Sequence, residues 1–558
     1  MDIGLGCFQS LQVSRQPRRP KVEKRASPRV LIVGAGPAGL SLAIELGHRR
    51  IPCLLIERND RVGYAPRAKT TNVRTREHLR RWGIADRLRA ASPLGAYYPS
   101  NVVFCTRLAG VELGRHENAM YCAPGRNPLY SEHAQWIPQY TVEEVLRSHA
   151  SSLPDVEIRF RSELLDLTQD AGGVHARLRD LAQGRDIELE VDYLVGADGA
   201  RSLVRDLIGT RMEGSYGLSR NYNIVFRAPG LAQAHRHGPA IMYWQINGDA
   251  PSLIGPMDSG DTWFFMPTHV DPQQRASDID ARAMIARATG IDLPYEVLSS
   301  DEWTASKLLG DRYRQGRVFL VGDACHLHPP FGGYGMNMGV ADSVDLGWKL
   351  AAALQGWGGP ALIDSYERER RPVHQWVLDE AEHNHSILGN HLLADHLEDA
   401  GAAGERARQE AGARIRAAKM REFSTLGVVL GYQYADSPVI VPDGSPEPAR
   451  DFINYTPSSR PGALAPHAWL HDGSSLYDHF GPGFTLLALP MAAARDVDAA
   501  VSAAQAAGVP LTLIRPDEGG VANLYPAPLT LIRPDQHVAW RGAAWPDTDL
   551  YARVTGRN

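Results

Sequence analysis

An α/β protein of more than one domain is the fold this sequence predicts. Three observations carry that reading: an apolar strand that runs through a glycine-rich turn into a helix, a separate stretch of aromatic strands, and a proline-rich linker ahead of a third unit. The chain has 558 residues, and at roughly 100–200 residues per domain two or three domains fit it. Hydrophobic residues make up 44% and charged residues 22%, which supports several packed cores and excludes collagen-like or wholly disordered classes. A formal charge of -5 argues against bulk attraction to nucleic acid or to an anionic membrane. The 5 cysteines, Cys7, Cys53, Cys105, Cys122 and Cys325, are scattered and odd in number. They form neither a disulfide framework nor a CxxC zinc site, and a reducing, cytoplasmic location is expected. No apolar run reaches the roughly 18 residues a membrane span needs. Residues 1–28, with Arg15, Arg18, Arg19, Lys21, Lys24 and Arg25, read as a flexible basic arm to which no function is assigned.

Structured sequence begins with Val30–Val33, four apolar and mostly β-branched residues, the pattern of a buried parallel strand. Gly34-Ala35-Gly36-Pro37-Ala38-Gly39 follows, with a helix from Pro37, a second strand over 53–56, and Glu57 at its end. Glycines there permit a tight turn and let a pyrophosphate approach backbone N–H groups at the positive helix end, while Glu57 suits a pair of ribose hydroxyls. A Rossmann-type domain binding an ADP-containing dinucleotide is implied, without distinguishing FAD from NAD. Residues 141–149 read as a helix opened by the Thr141/Glu144 capping pair. Tyr193–Gly196 is a strand that runs into Ala197-Asp198-Gly199-Ala200-Arg201-Ser202. Residues 317–321 form another, ending at Gly322-Asp323-Ala324-Cys325-His326 and continuing through Pro329-Pro330-Phe331-Gly332-Gly333-Tyr334-Gly335-Met336-Asn337 into a helix. Each motif sets an aspartate at a strand exit, where turn forming or helix capping is its ordinary role. In the last one, N–H groups at the helix start suit a ring edge that becomes anionic on reduction.

The aromatic segments 241–246 and 262–266 read as strands of a second sheet, inserted over 216–305 with part of 96–135 between the two halves of the first domain, 29–215 and 306–400. Strand alternation sets Tyr243, Gln245 and Asn247 on one face and Met242, Trp244 and Ile246 on the other. The first of these faces, together with Pro330, is the expected substrate wall. His326 and His328 lack a third ligand at suitable spacing and read as loop structure, so no metal is expected. After Asp342 the chain reads as helical to about Leu397, with Pro372 as a helix start or kink. Residues 401–445 are helix and linker, the stretch 436–466 is rich in proline, serine and glycine, and 446–558 forms the third unit. Its strands are 484–489, Leu511–Ile514 and Leu529–Ile532, with a helix over 497–507. The heptapeptide LTLIRPD occurs at 511–517 and again at 529–535, as two similar strand-to-turn junctions rather than a repeat fold.

The trio GAGPAG, GADGARS and VGDACHLHPPFGGYGMN resembles the class A flavoprotein monooxygenases, the para-hydroxybenzoate and phenol hydroxylase family, over residues 29–400. The resemblance implies FAD as cofactor and NADPH or NADH as electron donor. It implies that Gly34, Gly36, Pro37, Ala38 and Gly39 line the pyrophosphate, that Glu57 binds the adenosine ribose, and that Arg58 lies beside the adenine. Gly322 and Asp323 would reach the ribityl and pyrophosphate region, and Pro330, Gly333, Gly335, Met336 and Asn337 would surround the isoalloxazine. Asp198 and Gly199 match a motif associated with both FAD and nicotinamide binding. Gln139, in Trp136-Ile137-Pro138-Gln139, matches a glutamine that contacts the flavin chain, and Arg67 an arginine near the cofactor. The tail resembles the thioredoxin-like C-terminal domain of the phenol and polyketide hydroxylase branch, through Pro461-Gly462, Ala465-Pro466-His467 and the stretch 533–541. No cysteine follows Cys325, so dithiol exchange is excluded and packing or subunit contact in a homo-oligomer is the role left to it.

The reaction so implied is reduction of FAD by a nicotinamide hydride, addition of dioxygen to give a C4a-hydroperoxyflavin, and transfer of its distal oxygen to a phenolic or polyketide-derived aromatic substrate. A base or relay is expected to ionise such a phenol, and spacing assigns no residue to that task. Other readings stand beside this one. They are an epoxidase or Baeyer–Villiger oxygenase on the same scaffold, a flavin-dependent halogenase, of whose WxWxIP segment Trp136-Ile137-Pro138 is a fragment, and a non-catalytic flavin-binding redox sensor.

Overall fold

The computed structural model describes residues 27–558 apart from 61–67, 269, 271–274, 276–277, 388–391 and 547–548. The basic segment through residue 26 and Arg67 therefore lie outside the described residues. The fold is the expected α/β one. Val30–Val33 is buried throughout and pairs in parallel with Cys53–Glu57 on one side and Tyr193–Gly196 on the other. The sheet runs in the order Arg314–Gln315, Val318–Leu320, Tyr193–Gly196, Val30–Val33, Cys53–Glu57, Val156–Phe160, and only the Arg314–Gln315 edge is antiparallel. Chain order thus reverses at Val30–Val33, and the crevice beyond the carboxyl ends of strands at such a switch point is where α/β sheets take ligands. Helices Pro37–His48 and Tyr334–Leu354 pack on each other above this crevice's floor.

Three local expectations are corrected. The helix foreseen over 141–149 is Gln139–Ser152, with Pro138 at its N-cap and no side-chain cap bond, so Thr141 and Glu144 lie inside the helix and form no capping box. Proline at that boundary supplies the extended φ/ψ that starts the helix two residues earlier. Pro372 does not start a helix: Pro360 does, and Pro372 sits inside Pro360–Ser386, whose buried flank of Tyr366, Val373 and Val377 packs through the missing backbone bond. Helix also begins sooner after the third motif, at Tyr334.

The second sheet has eight strands in the order His326–Leu327, Glu296–Gly310, Met212–Arg227, Thr262–Pro267, Ser252–Pro256, Met242–Gln245, Val102–Cys105, Glu112–His116. His326–Leu327 belongs to the third motif, so this short strand ties the cofactor crevice to the edge of the second sheet. The tail forms a four-stranded sheet, Leu511–Ile514, Phe484–Ala488, Leu529–Ile532, Val538–Gly542, parallel in its first pair and antiparallel in the others. The two copies of LTLIRPD have opposite fates: the first is an edge strand with Leu513 exposed, and the second is central and buried.

Burial of the second copy places Arg533 against the first domain. Its guanidinium donates to Glu369 at 2.7 and 2.8 Å, to Asp345 at 3.0 Å and to Asp535 at 2.6 Å. Lys349 Nζ completes the cluster, 2.7 Å from Asp345. Burial opposes ionising all three carboxyls. The Arg533 and Lys349 charges overcome it at Glu369, held at about 2, but not at Asp345, which rises well above the usual carboxylate range. A neutral Asp345 leaves two cations against two carboxylates, a balanced cluster. Arg533→Met would strand Glu369 and Asp535 without that guanidinium; removing one partner of a buried pair costs about 3–5 kcal/mol. Urea unfolding is expected to show that loss, while a mutation of its exposed counterpart Arg515 leaves stability within about 0.5 kcal/mol of wild type.

Candidate functional site

The three motifs meet at backbone level. Gly34 has φ +107°, and a Cβ there would lie 2.4 Å from the Ala197 carbonyl oxygen of the second motif. A Cβ at Gly39 would lie 2.0 Å from the Gly34 oxygen, and one at Gly322, of the third motif, 3.1 Å from Ala38 Cβ. Gly36, Gly199 and Gly335 behave differently: a Cβ on any of them meets no heavy atom within 4 Å. One glycine from each motif therefore faces free space, the cradle a bound dinucleotide needs. Gly36 is the N-cap of Pro37–His48, which has Pro37 at its start and no side-chain cap, leaving its first N–H groups for an anion. Glu57 stands at the end of the adjacent strand. Its Oε2 accepts the Ala35 N–H at 3.0 Å and its Oε1 the Asn59 side chain at 2.7 Å, which orient the carboxylate and leave lone-pair directions for a ribose. Arg58, next to it, is exposed. These residues fit FAD.

Asp198 is committed elsewhere. Its carboxylate accepts from Ser202 Oγ and from the Val204 N–H, capping helix Leu203–Leu207, and burial raises its pKa. Gly199, at φ +79°, is the part of that motif left facing the crevice. Asp323 lies exposed on the short turn Gly322–Ala324. Gly333, at φ +67°, caps Tyr334–Leu354, whose first turn holds Gly335 and Met336 and has no side-chain cap. Asn337 serves as a clamp: Nδ2 donates to the carbonyls of Gly333 and Thr70, at 2.6 and 2.9 Å, and Oδ1 accepts the Asn72 N–H at 2.9 Å. Strand Thr70–Thr71 is thereby fixed on the glycine-rich loop, and its other edge pairs with Gln135–Trp136. Gln139 joins the same corner; its backbone N–H donates to the Ala68 carbonyl and its side chain to Glu143.

Behind the loop, Asp342 accepts from His326 Nε2 and His374 Nε2, both at 2.7 Å, from Arg370 Nε at 2.8 Å and from the Gly322 N–H at 3.1 Å, all fully buried. Arg370 neutralises the one carboxylate, and the imidazoles of His326 and His374 stack at 3.8 Å with a 20° interplanar angle. The sequence reading is corrected here: ring nitrogens of His326, His328 and His374 come within 4.8 Å of one another, so the fold supplies a third imidazole that spacing along the chain lacked, while Asp342 holds the Gly322 N–H. His328 packs against both rings.

The substrate wall is corrected. Tyr243, Gln245 and Asn247 lie on the face turned away from the glycine-rich loop. The Tyr243 hydroxyl donates to the Gly238 carbonyl at 2.6 Å, and its ring packs among Val103, Ile254 and Phe265 under helix Ala281–Thr289. Gln245 bonds Ser252 and the Leu108 N–H, and Asn247 bonds the Thr106 carbonyl, so both amides hold strands and turns together. The opposite face, with Trp244 and Phe264, meets the loop: Trp244 lies 6.1 Å from Phe331, and Phe264 6.4 Å from Trp136. Pro330 is exposed beside Phe331. Two lysines absent from the expected site stand over this aromatic face, Lys69 at 4.3 Å from Phe264 and Lys419 at 4.1 Å from Trp244. Lys419 is paired with Glu422 at 2.8 Å. Neither lysine lies in a motif or a periodic pattern that marks it.

Two predictions follow from these contacts. Gly39→Ala meets the Gly34 carbonyl and is expected to lower thermal stability sharply. Gly36→Val adds its side chain to free space, so it is expected to keep the apoprotein melting temperature while weakening FAD binding at least about tenfold, read by flavin fluorescence quenching. Burial holds His374 at about 3 against an ordinary 6.5. The unfolded chain therefore takes a proton that the folded one refuses between these values, and stability falls as pH drops through that window. His374→Gln, which keeps a donor to Asp342, is expected to flatten the slope of unfolding free energy between pH 6.5 and 5.

Comparison with known proteins agrees with this geometry. Residues 28–381 match the family model described as an FAD binding domain, and residues 458–556 that of the aromatic-ring hydroxylase C-terminal domain. The chain is 33% identical over 519 residues to 2,4-dichlorophenol 6-monooxygenase of Delftia acidovorans, covering 86% of this chain and 87% of the relative. It is 34% identical to aklavinone 12-hydroxylase of Streptomyces peucetius over 83% of this chain and 91% of that one. Among solved structures, the rebeccamycin enzyme RebC with bound 7-carboxy-K252c superposes with a TM-score of 0.88 at 33% identity, covering 96% of this chain and 100% of that one. The flavin-dependent monooxygenase PieE, in complex with FAD and substrate, gives 0.86 at 33% identity with the same coverage. With both family models matched in order and the three motifs converging on one crevice, this chain belongs to the FAD-dependent aromatic-ring monooxygenases, in the branch of the phenol and polyketide hydroxylases.

Proposed function

We propose that this chain hydroxylates a phenolic or polyketide-derived aromatic compound, consuming NADPH or NADH and dioxygen. The observation that carries the reading is the facing of two surfaces: an uncapped helix start behind a glycine-rich loop, and the aromatic side of a sheet that holds Trp244 and Phe264. Named relatives include a dichlorophenol monooxygenase and a polyketide hydroxylase, which supports a hydroxylated ring as substrate.

Bound FAD, reduced by a nicotinamide and exposed to dioxygen, supplies an oxygen atom electrophilic toward an electron-rich ring. The chain's own residues do the rest. Gly36, Glu57 and the N–H groups at Pro37–His48 hold the dinucleotide, and the free N–H groups of the Tyr334–Leu354 first turn stabilise negative charge that develops beside them. Asn337 keeps Thr70–Thr71 and the loop in register, so both walls stay at fixed spacing. Trp244, Phe264 and Phe331 are buried in one apolar cluster behind the loop and exclude water from that side.

Purified protein is expected to be yellow, and suitable phenols are expected to stimulate NAD(P)H oxidation. Mass spectrometry after turnover under oxygen-18 gas is expected to find one labelled atom in the product. Unlabelled product, or NAD(P)H oxidation that yields only hydrogen peroxide with every phenol tried, would overturn the reading.

A further inference from the structure

We infer that Lys69 receives the acidic hydroxyl of the substrate, so that the ring is held as its phenolate or enolate beside the glycine-rich loop. This rests on the hydroxylase reading and names the group that the sequence leaves unassigned. Lys69 is fixed from both sides. Its carbonyl accepts the Ile137 N–H at 2.7 Å, and the next residue, Thr70, is clamped by Asn337 and sits where a Cβ on Gly333 would be 3.0 Å from Thr70 Cβ. The ammonium lies over Phe264, on the face of the second sheet that meets the loop.

What sets Lys69 apart is that it has no partner among the described residues. Lys419, over the same aromatic face, is neutralised by Glu422, and buried Lys349 is paired with the Glu369 carboxylate. Among the described residues Lys69 makes no ion pair and no side-chain hydrogen bond, and only the Phe264 ring faces its charge. Of the elements packed against it, strands Gln135–Trp136 and Thr262–Pro267 carry no ionisable side chain. The glycine-rich loop carries His328, which sits behind it among His326 and His374, and Tyr334, whose ionisation is opposed by burial first and then by the charges of Glu380 and Glu422. Burial without an acidic neighbour brings the Lys69 pKa down to about 8. A cation held this way is costly until a ligand brings an anion to it.

The proton is accounted for in either state of the amine. A neutral Lys69 takes it from the hydroxyl, breaking O–H and forming N–H, and leaves an ammonium facing a phenolate. A charged Lys69 takes a phenolate whose proton has already gone to water. Both deliver the ionised, electron-rich ring that oxygen transfer needs.

The test uses FAD-loaded protein without electron donor, titrated with 4-nitrophenol across a pH series. Ionised probe absorbs in the visible range, which separates bound anion from bound neutral phenol. Wild type is expected to prefer the anion below pH 8 and to lose that preference above it. Lys69→Met is expected to bind the anion at least about tenfold more weakly, a shift of roughly one unit in the probe's bound pKa. Lys69→Arg is expected to keep the preference through the alkaline range, and flavin absorbance reports folding in each variant. Equal anion binding by wild type and Lys69→Met, or no anion preference in wild type, overturns the assignment. Because no turnover is involved, that outcome is separate from the oxygen-18 result, on which the hydroxylase reading itself stands or falls.

Discussion

A Cβ at Gly39 would lie 2.0 Å from the Gly34 carbonyl oxygen, one at Gly34 2.4 Å from that of Ala197, and one at Gly339 3.1 Å from Gly322 Cα. In each case the space a side chain would need is already filled by main chain, and Gly322 is in turn backed by Ala38 Cβ, so helix Pro37–His48, the exit of Tyr193–Gly196, the turn at Gly322 and helix Tyr334–Leu354 approach one another closely. Side chains elsewhere adjust by changing rotamer, whereas main chain at contact distance has nowhere to move. The separation between Gly36, Gly199 and Gly335, the three glycines that face free space, is therefore set by the other glycines. That spacing matters to a dinucleotide because the N–H groups at a helix start act only within a narrow distance.

Helix Tyr334–Leu354 carries this constraint through the molecule. Its first turn borders the site, and Asn337 clamps the neighbouring strand. One turn later Gly339 touches Gly322, and Asp342 gathers His326, His374 and Arg370 behind the loop. Asp345 and Lys349 then meet Arg533 of the tail, and Trp348 enters the tail's own core beside Phe484. A tail without cysteines, docked through a fully buried and charge-balanced cluster, works as a brace on the helix that forms the crevice. This gives the third unit a physical role that needs no redox chemistry.

The parts legible in sequence were those written in local pattern. Val30–Val33, the Gly34–Gly39 turn and Glu57 lie within one strand–helix–strand unit, so their spacing alone implied a dinucleotide crevice, and Leu511–Ile514 and Leu529–Ile532 stand where their apolar runs placed them. Features made by distant residues left no such trace. Asp342, Arg370 and His374 are buried ions brought together by two helices, and nothing in the composition of either helix separates them from solvated charges. The second LTLIRPD shows the same limit from the other side. Identical heptapeptides give Arg515 an edge position and Arg533 a sealed ionic cluster, because strand order in the sheet, not local sequence, decides which copy is covered.

The inverted reading of the second sheet has the same origin. Alternation sorted Tyr243, Gln245 and Asn247 from Met242, Trp244 and Ile246 correctly, but a strand buried on both faces gives no internal sign of which face meets the cofactor. Polarity pointed the wrong way. Gln245 and Asn247 are polar because they satisfy backbone groups of neighbouring turns inside the sheet's far side, while the other side is apolar because Trp244 packs there on Phe331 and Phe264 near Trp136. On such a face a single unpaired charge discriminates strongly, since the low-polarity surroundings leave it unscreened. Lys69 occupies that position and Lys419, already neutralised, does not, which is why the inferred preference for an ionised ring falls on one amine of this face.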